Sequence, residues 1–304
     1  MCWSARCRIK QLVALASVLA PASILSGATN PCLDSSNDTY ICLPDETADA
    51  RSQTLDLGSC GLMDDDWDDV GACLDAFGRD DVSTLYLSNG KLTYIPDDIF
   101  TGLSSLQHLC LAENNIGTLS GGSFSNLTTL EILILQGNKL KSLPDGVFAE
   151  LPSLEYLSLS NNALEVLENG IFSDMTSLNT LHLGFNALGS LPEDVFDGLS
   201  SLQTLYLRDN NLTSLDTGVF AGLTSLEILN LGYNCLTTLQ EDIFEGLLSL
   251  LDLYLYDTDL SILESGTFSG LPVLQSLLFN DAACGHLRGA LLLAIPVFVR
   301  QRPG

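Results

Sequence analysis

Basic side chains are scarce in this sequence of 304 residues. It has 12 lysines and arginines against 38 aspartates and glutamates, which gives a formal net charge of -26 at pH 7. A negative field of this size repels the phosphates of nucleic acids and anionic lipid surfaces. We therefore expect a soluble, acidic protein whose partners do not include nucleic acid.

Motifs that carry catalysis or bind cofactors are also absent. The sequence has no Gly-x-Ser-x-Gly, no His-Glu-x-x-His, no phosphate-binding glycine loop and no Cys-x-x-Cys, and it has only three histidines. These motifs position nucleophiles, zinc ligands and phosphates, so their absence argues against the common hydrolase, metalloenzyme and nucleotidase classes. We predict that the protein is not an enzyme and has neither a cofactor nor a metal site.

Residues 1–28 have the order of a secretory signal peptide. A basic start precedes an apolar run from Leu12 to Leu25, and the small residues Ser26, Gly27 and Ala28 follow. This order is typical of an exported chain. We expect an extracellular protein whose mature form begins at Thr29, with a membrane anchor as the alternative.

The sequence is dominated by a leucine pattern that returns every 24 residues, nine times. Its form is Leu-x-x-Leu-x-Leu-x-x-Asn-x-Leu-x-x-Leu-x-x-x-x-Phe-x-x-Leu. A fixed period of this length predicts a solenoid, and this spacing is that of a leucine-rich repeat. The central pair of each strand is Leu85/Leu87, Leu109/Leu111, Leu133/Leu135, Leu157/Leu159, Leu181/Leu183, Leu205/Leu207, Leu229/Leu231, Leu253/Leu255 and Leu277/Phe279.

We predict an α/β leucine-rich repeat solenoid that forms a curved arc. Its parallel β-sheet lines the concave face, and short helical or irregular segments form the convex face. The expected parts are an N-terminal cysteine-containing cap at 29–84, the repeats at 85–287, and a cap remnant or apolar tail at 288–304. The tail has three interpretations: the last convex segment, a lipid-anchor signal, or an incomplete C-terminus.

Two positions of the repeat are expected to be structural. Asparagine amides can satisfy backbone groups at the bend after each strand, in a ladder from Asn114 to Asn234. Phenylalanines from Phe100 to Phe268 recur at one position and are expected to form a core spine. Acidic residues such as Asp145 and Glu193 precede these phenylalanines and fit the start of a short helical turn on the convex side.

The cap contains a predicted helix from Asp64 to Phe77, with one apolar face. Four cysteines in an exported chain suggest two disulfides with three possible connectivities. We expect a bond that links the first strand to this helix and a second bond upstream. The expected pairs are Cys60 with Cys73 and Cys32 with Cys42.

Three further cysteines, Cys110, Cys235 and Cys284, remain outside these pairs. Cys110 and Cys235 lie five coils apart, roughly 24 Å at about 4.8 Å per strand. A disulfide requires Cα atoms within about 7 Å, so these two cannot join within one chain.

The wording of the repeat resembles the extracellular 24-residue class of leucine-rich repeats. Leu143-Pro144-Asp145-Gly146-Val147-Phe148-Ala149-Glu150-Leu151, followed by Leu154 and Leu157, is similar to the repeats of variable lymphocyte receptors and Toll-like receptor ectodomains. The resemblance implies a horseshoe-shaped arc with a recognition role. The Cys-x-Cys spacing that commonly closes the N-terminus of those domains and their cysteine-rich C-terminal cap are absent, so a complete transmembrane receptor is not expected.

The repeat register predicts which strand residues face solvent on the concave side. Tyr86, Cys110, Ile134 and Asn230 are examples, and Arg208 is the only lysine or arginine in this set. Tyrosine and arginine are enriched at binding hot spots, although tyrosine also simply suits strands. The candidate ligand-binding residues are His182, Phe185, Tyr206, Arg208, Tyr233, Tyr254 and Tyr256.

Three asparagines stand in glycosylation sequons, namely Asn37, Asn126 and Asn211. Together these features favour a secreted, non-enzymatic binding protein that recognises a protein or a glycan on its concave face. The alternative is a structural acidic component of a cell wall or extracellular matrix, which would act through bulk charge. The oligomeric state and the identity of the ligand do not follow from the sequence.

Overall fold

The computed structural model describes residues 53–263, 266–279 and 298–299. The predicted signal peptide and most of the C-terminal tail lie outside the described residues. Cys32, Cys42, Cys284 and the glycosylation sequon at Asn37 also lie outside them.

Eleven short parallel strands form one continuous sheet. Each strand hydrogen-bonds to the next one along the chain in this sheet, so no crossover interrupts the order. The strands are β1 Gln53–Asp56, β2 Val82–Tyr86, β3 His108–Cys110, β4 Ile132–Ile134, β5 Tyr156–Ser158, β6 Thr180–His182, β7 Thr204–Tyr206, β8 Ile228–Asn230, β10 Asp252–Tyr254, β12 Ser276–Leu278 and β13 Phe298–Val299.

The register of the sheet repeats the sequence period. Leu85 pairs with Leu109, and Leu109 pairs with Leu133, each exactly one repeat further along the chain. Leucines of this position are 0–1% exposed from β2 to β12, because they point into the space between the sheet and the convex segments. The predicted parallel solenoid is confirmed.

The asparagine ladder is also present. In each rung the side-chain oxygen accepts a hydrogen bond from a backbone amide of the preceding coil. The amide of Ile116 donates to Asn138 Oδ1 at 3.0 Å. Asn138 Nδ2 in turn donates to the carbonyls of Leu111 and Leu135 at 2.9 and 3.0 Å. Each amide therefore ties two neighbouring coils together.

Burial of the ladder is less uniform than predicted. Asn114, Asn138, Asn210 and Asn234 are buried, but two rungs are only half-buried. The residue after each half-buried rung is an alanine, which is the smallest side chain at that position and covers least of its neighbour. The half-buried rungs are Asn162 and Asn186, followed by Ala163 and Ala187.

We expect Asn138→Leu to lower the free energy of unfolding by about 1–3 kcal/mol, because backbone groups of two coils lose their hydrogen-bonding partner. Asn162→Leu should fall at the lower end of this range, since water can reach its half-buried neighbours. Chemical denaturation of both variants beside the exposed-site variant Glu193→Ala tests this. Unchanged stability of Asn138→Leu would contradict the role of the ladder.

The phenylalanine spine lies behind the sheet, as predicted. Successive rings stack with centroids 5.9–6.4 Å apart and interplanar angles of 8–17°. Six of these rings, from Phe124 to Phe244, are among the largest fully buried side chains. The rings fill the convex half of the core, so they are unavailable to a ligand.

The convex segments consist of turns, so of the two predicted forms, short helical or irregular, the structure has the irregular one. The backbone there makes hydrogen bonds over three residues, for example from the amide of Ala149 to the carbonyl of Gly146 at 3.0 Å. Each segment must reach from the spine to the next strand within a few residues. That length is too short to offset the cost of nucleating a helix.

A second ladder, not anticipated from the sequence, follows the spine. Serine hydroxyls donate to carbonyl oxygens of the preceding coil, as from Ser153 to Thr128 at 2.8 Å and from Ser201 to Thr176 at 2.7 Å. The repeated Leu-x-Ser-Leu wording is the signal that could have revealed it. This ladder stabilises the convex edge as the asparagines stabilise the concave one.

The described part of the cap contains the predicted helix. A 3₁₀ turn at Asp64–Asp66 leads into the α-helix α1, Trp67–Phe77. The buried Asp66 accepts a hydrogen bond from the amide of Met63 at 2.9 Å, and Asp64 accepts one from the amide of Thr93 at 2.7 Å. The acidic residues at the start of the helix therefore stabilise the cap by accepting hydrogen bonds from backbone amides.

Cys60 ends the 3₁₀ turn Gly58–Cys60 after β1, and Cys73 is a buried residue of α1. Burial, followed by the nearby charges of Asp69 and Cys60, raises the pKa of the Cys73 thiol to about 11. The two side chains thus interact as thiols in this structure. A disulfide between them stays a prediction.

Two features depart from the expected repeat near the C-terminus. Phe298–Val299 forms β13 and pairs with β12, so these two residues extend the concave sheet and are not part of a convex segment. A separate parallel pair also forms between β9, Thr238–Leu239, and β11, Ile262–Leu263. The 24-residue period does not predict either pairing.

Candidate functional site

The seven candidate residues come from four neighbouring coils. His182, Tyr206 and Tyr254 end β6, β7 and β10, and the remaining four follow β6, β7, β8 and β10 by two or three residues. Because the strands are parallel and in register, these positions stack side by side at the same edge of the sheet. The fold thus brings them together.

Many concave residues are more buried than their register predicts. Tyr86, Cys110, Ile134 and His182 are only 2–6% exposed. The expectation that such positions face solvent is wrong for them. Strands in a sheet lie about 4.8 Å apart, so large side chains on adjacent strands cover one another.

Three rings form a continuous stack along the concave surface. The His182 ring lies 4.5 Å from the Tyr206 ring and 5.3 Å from the Tyr156 ring, measured between centroids. Tyr156 is not among the residues predicted for the site, but its ring extends the stack by one coil. The stack therefore spans β5, β6 and β7.

Burial makes His182 a neutral side chain at physiological pH. The residue is 5% exposed, and desolvation disfavours its charged form. Burial lowers the pKa of His182 from 6.5 to about 4. The imidazole therefore acts as an aromatic and polar group, not as a cation.

Arg208 is held between two aromatic rings. Its guanidinium carbon lies 4.9 Å from the centre of the Phe185 ring and 5.5 Å from that of Tyr233. Its Nε donates to the Asp209 carboxylate at 2.9 Å. Stacking and the ion pair together fix the guanidinium plane, so the side chain is preorganised.

The two residues whose rings flank Arg208 both have a left-handed backbone conformation. Phe185 has φ 55° and Tyr233 has φ 53°. Bulky residues rarely adopt this region, and the conformation costs roughly 1–3 kcal/mol per residue. The same position holds Asn89, Gly137 or Asn161 in other coils. The two aromatic residues thus retain strain at positions where the fold accepts smaller ones.

Three tyrosines continue the cluster toward the C-terminus. The Tyr256 ring meets the rings of Tyr233 and Tyr254 edge to face, with centroids 5.2 and 6.2 Å apart. Its hydroxyl accepts a hydrogen bond from the buried Asn230 amide at 3.3 Å. Tyr256 is only 6% exposed, so it supports its neighbours more than it offers surface.

Two glycines make room for this arrangement. A Cβ at Gly232 would lie 2.7 Å from the Tyr256 ring, and one at Gly184 would lie 3.2 Å from Arg208 Cγ. Neither distance allows an ordinary contact without movement of the neighbour. Glycine in these two coils therefore lets the large side chains of the next coils lie flat across the sheet.

A separate apolar cluster occupies the N-terminal half of the concave face. Tyr86, Cys110 and Ile134 form it, and Ile132 and Tyr156 pack against it. Cys110 is disulfide-bonded. This cluster was not predicted, because the sequence analysis treated these positions individually.

Cys235 is an exposed thiol that follows the last ladder asparagine, Asn234. Since Cys110 is disulfide-bonded and Cys235 is not, the two are not joined to each other, as predicted.

Within the described ranges, no three histidine, cysteine, aspartate or glutamate side chains come close enough to hold a metal ion. The same ranges contain no helix with the length and apolar character that a bilayer crossing requires. These statements concern the described residues alone.

Two solved structures are similar to this chain. One is the TLR13–ssRNA13 complex, with 28% identity over 69% of this chain and 34% of that chain, at a TM-score of 0.62. The other is the Drosophila Toll–Spatzle complex, with 28% identity over 67% of this chain and 27% of that chain, at a TM-score of 0.63. The chain spans about a third or less of either.

One of these structures contains RNA and the other a protein, so they give no support to the expectation that nucleic acid is excluded. That expectation stays a prediction based on charge. The sequence has no significant match among curated proteins.

The family model described as leucine rich repeat matches residues 81–140, 128–188, 176–236 and 224–281. These ranges overlap and together cover the region of strands β2 to β12. With the register of the sheet, they establish that the chain belongs to the leucine-rich repeat family.

Proposed function

We propose that this protein is a secreted, non-enzymatic binding protein that recognises a protein or a glycan with the aromatic surface around Arg208. The observation that carries the proposal is the fixed guanidinium between two exposed rings. Phe185 is 43% exposed and Tyr233 is 39% exposed, although both are large and strained. Exposed, rigid aromatic area suits a binding hot spot because little entropy is lost on contact.

The alternative is a structural component of an acidic matrix. Bulk charge would then matter more than any particular side chain. A matrix function gives no reason for two aromatic residues to occupy left-handed positions that asparagine, glycine or acidic residues fill in the other coils. The preorganised cluster therefore favours specific recognition.

Similarity to other proteins supports the same class of function. One similar structure is a complex with a protein and the other is a complex with single-stranded RNA. We extend ligand binding to this chain by analogy with those folds. The N-terminal sequence at 1–28 supports export.

Tyr206→Ala and Arg208→Glu should each weaken binding of the natural partner by about tenfold, or ~1.4 kcal/mol. The first variant removes one of the three rings of the stack, and the second reverses the charge between the rings of Phe185 and Tyr233. Affinity capture of extracellular proteins and glycans on the immobilised full chain identifies the partner, and titration of that partner measures the loss.

Glu193→Ala is the matched control, because Glu193 is an exposed convex residue. It should bind with wild-type affinity. If both concave variants keep full affinity while the convex variant loses it, the concave site is wrong and the matrix function is favoured.

We further propose that Asn126 and Asn211 carry glycans. Both side chains are exposed, and each begins an Asn-Leu-Thr sequon. Asn126 lies on the convex side, where a glycan would leave the aromatic surface open. The third sequon, at Asn37, lies outside the described residues.

A further inference from the structure

The residues just past the concave strands form a row along one edge of the sheet. We call this the rim row; each member directly precedes the ladder position of its coil and has positive φ. The backbone amides in the row donate to carbonyls of the next coil, as from Phe185 to Arg208 at 2.9 Å. The members are Asn89, Glu113, Gly137, Asn161, Phe185, Asp209, Tyr233 and Asp257.

The two halves of the rim row differ in chemistry. The first half holds residues that tolerate left-handed backbone or are long and polar. The second half alternates aromatic and acidic residues in the order Phe185, Asp209, Tyr233 and Asp257. Alternation over four successive coils gives this edge a regular pattern with a period of two coils.

The charge of this edge favours a cationic ligand. Among the described residues of these four coils, Arg208 is the only basic one, and Asp209 pairs with it. The Asp209 carboxylate has further acceptor positions, and Asp257 is exposed. Acidic groups therefore outnumber basic ones at an edge that also offers exposed rings.

The spacing of the pattern fits one kind of extended chain. Acids two coils apart are about 9.6 Å from each other, at about 4.8 Å per strand. In a polyproline II helix every third residue faces the same side, at a separation of about 9.3 Å. A segment with a cation at every third position would place successive cations opposite Asp209 and Asp257.

The aromatic residues also fit a ligand in the polyproline II conformation. Phe185 and Tyr233 alternate with the acids at the same interval, and their rings are fixed by Arg208. Arg208 fills the space between the two rings, and proline rings would pack against their solvent-exposed parts. A polyproline segment loses little entropy when it binds. Basic residues would meet the acids while prolines contact the rings.

We propose that the second half of the rim row binds a basic, proline-rich segment of a partner protein in the polyproline II conformation. This proposal rests on the binding function proposed above and assigns the chemistry of the partner.

A synthetic peptide of repeating Arg-Pro-Pro, titrated against the full chain by calorimetry, tests the proposal. Repeating Glu-Pro-Pro and repeating Arg-Gly-Gly of the same length serve as comparison peptides, because the first reverses the charge and the second loses the conformation. We expect binding of Arg-Pro-Pro alone. Equal binding of either comparison peptide, or no binding of Arg-Pro-Pro, would overturn the proposal.

Variants of the rim row then locate the site. Phe185→Asn and Tyr233→Asn should weaken peptide binding by about tenfold, and Asp257→Asn by about threefold. The asparagine variants should keep or raise the unfolding temperature, since asparagine tolerates left-handed backbone. A purely structural role of the rings would instead lower that temperature.

Matched controls distinguish a local site from general charge. Tyr94→Asn removes an aromatic residue that is 45% exposed outside the row, and Asp216→Asn removes one convex acid. Both should keep wild-type affinity for the peptide. If Asp216→Asn weakens binding as much as Asp257→Asn, attraction is nonspecific and the proposal falls.

Failure of this proposal can be separated from failure of the proposed function. A captured partner that depends on Tyr206 and Arg208, combined with no binding of Arg-Pro-Pro, retains the function and overturns only the partner class. If the captured partner does not depend on Tyr206 and Arg208, and Arg-Pro-Pro does not bind, both the proposed function and the proposed partner class are overturned.

Discussion

Replacing Phe172 by alanine should destabilise the protein by about 3–5 kcal/mol, the cost of removing a buried phenylalanine from a packed core. Phe172 is 0% exposed and stacks between Phe148 and Phe196 at 6.2 and 6.4 Å. The cavity would lie in the middle of the spine, where neither flanking coil can collapse into it. Thermal or chemical unfolding followed by circular dichroism measures the loss.

Phe185→Asn is the matched control, since it removes the same residue type from the rim row. We expect unchanged or increased stability, because left-handed strain is relieved and little buried surface is lost. Similar destabilisation by both variants would contradict the division between the spine and the rim.

The stability of the protein should fall by about 2 kcal/mol between pH 6.5 and pH 5 because of His182. The pKa of the folded-state imidazole lies at about 4, below the ordinary value of 6.5. Below pH 6.5 the unfolded chain takes up a proton that the folded chain does not, so acid favours unfolding. The full effect, reached near pH 4, is roughly 3 kcal/mol.

The matched variant is His182→Phe, which keeps a ring in the stack but removes the titrating group. Its free energy of unfolding should change less with pH across the same window, and the difference between the two curves isolates His182 from the carboxylates. Parallel curves for the wild type and the variant would show that the imidazole is not desolvated.

Most of the fold could be predicted because one period determines strand, ladder and spine together. Leu109 and Leu133 occupy equivalent positions, so the pairing of β3 with β4 follows from counting residues. The form of the convex segments was predicted only as short helical or irregular, because acids before Phe148 suit the start of a helical turn. The small number of residues between each spine phenylalanine and the next strand decides for turns.

The candidate site was predicted by residue type and register, but its internal contacts were not. Register placed Arg208 near aromatic residues, yet the sandwich between Phe185 and Tyr233 depends on side-chain direction. Gly184 and Gly232 have no side chain, so the space that they leave for Arg208 and Tyr256 is evident only from the positions of those neighbouring side chains. Burial of His182 depends likewise on rings from two other coils.

Because the coils are in register, they present different side chains at the same position of one repeated backbone. Positions 88, 112, 136, 160, 184, 208, 232 and 256 hold serine, alanine, glutamine, serine, glycine, arginine, glycine and tyrosine, while the leucine before each stays the same. The core therefore places few restrictions on this position. Recognition can diversify at this position, since a new side chain there leaves the leucines, the ladder and the spine untouched, provided that a large side chain follows a small one in the preceding coil, as at Gly184 and Gly232.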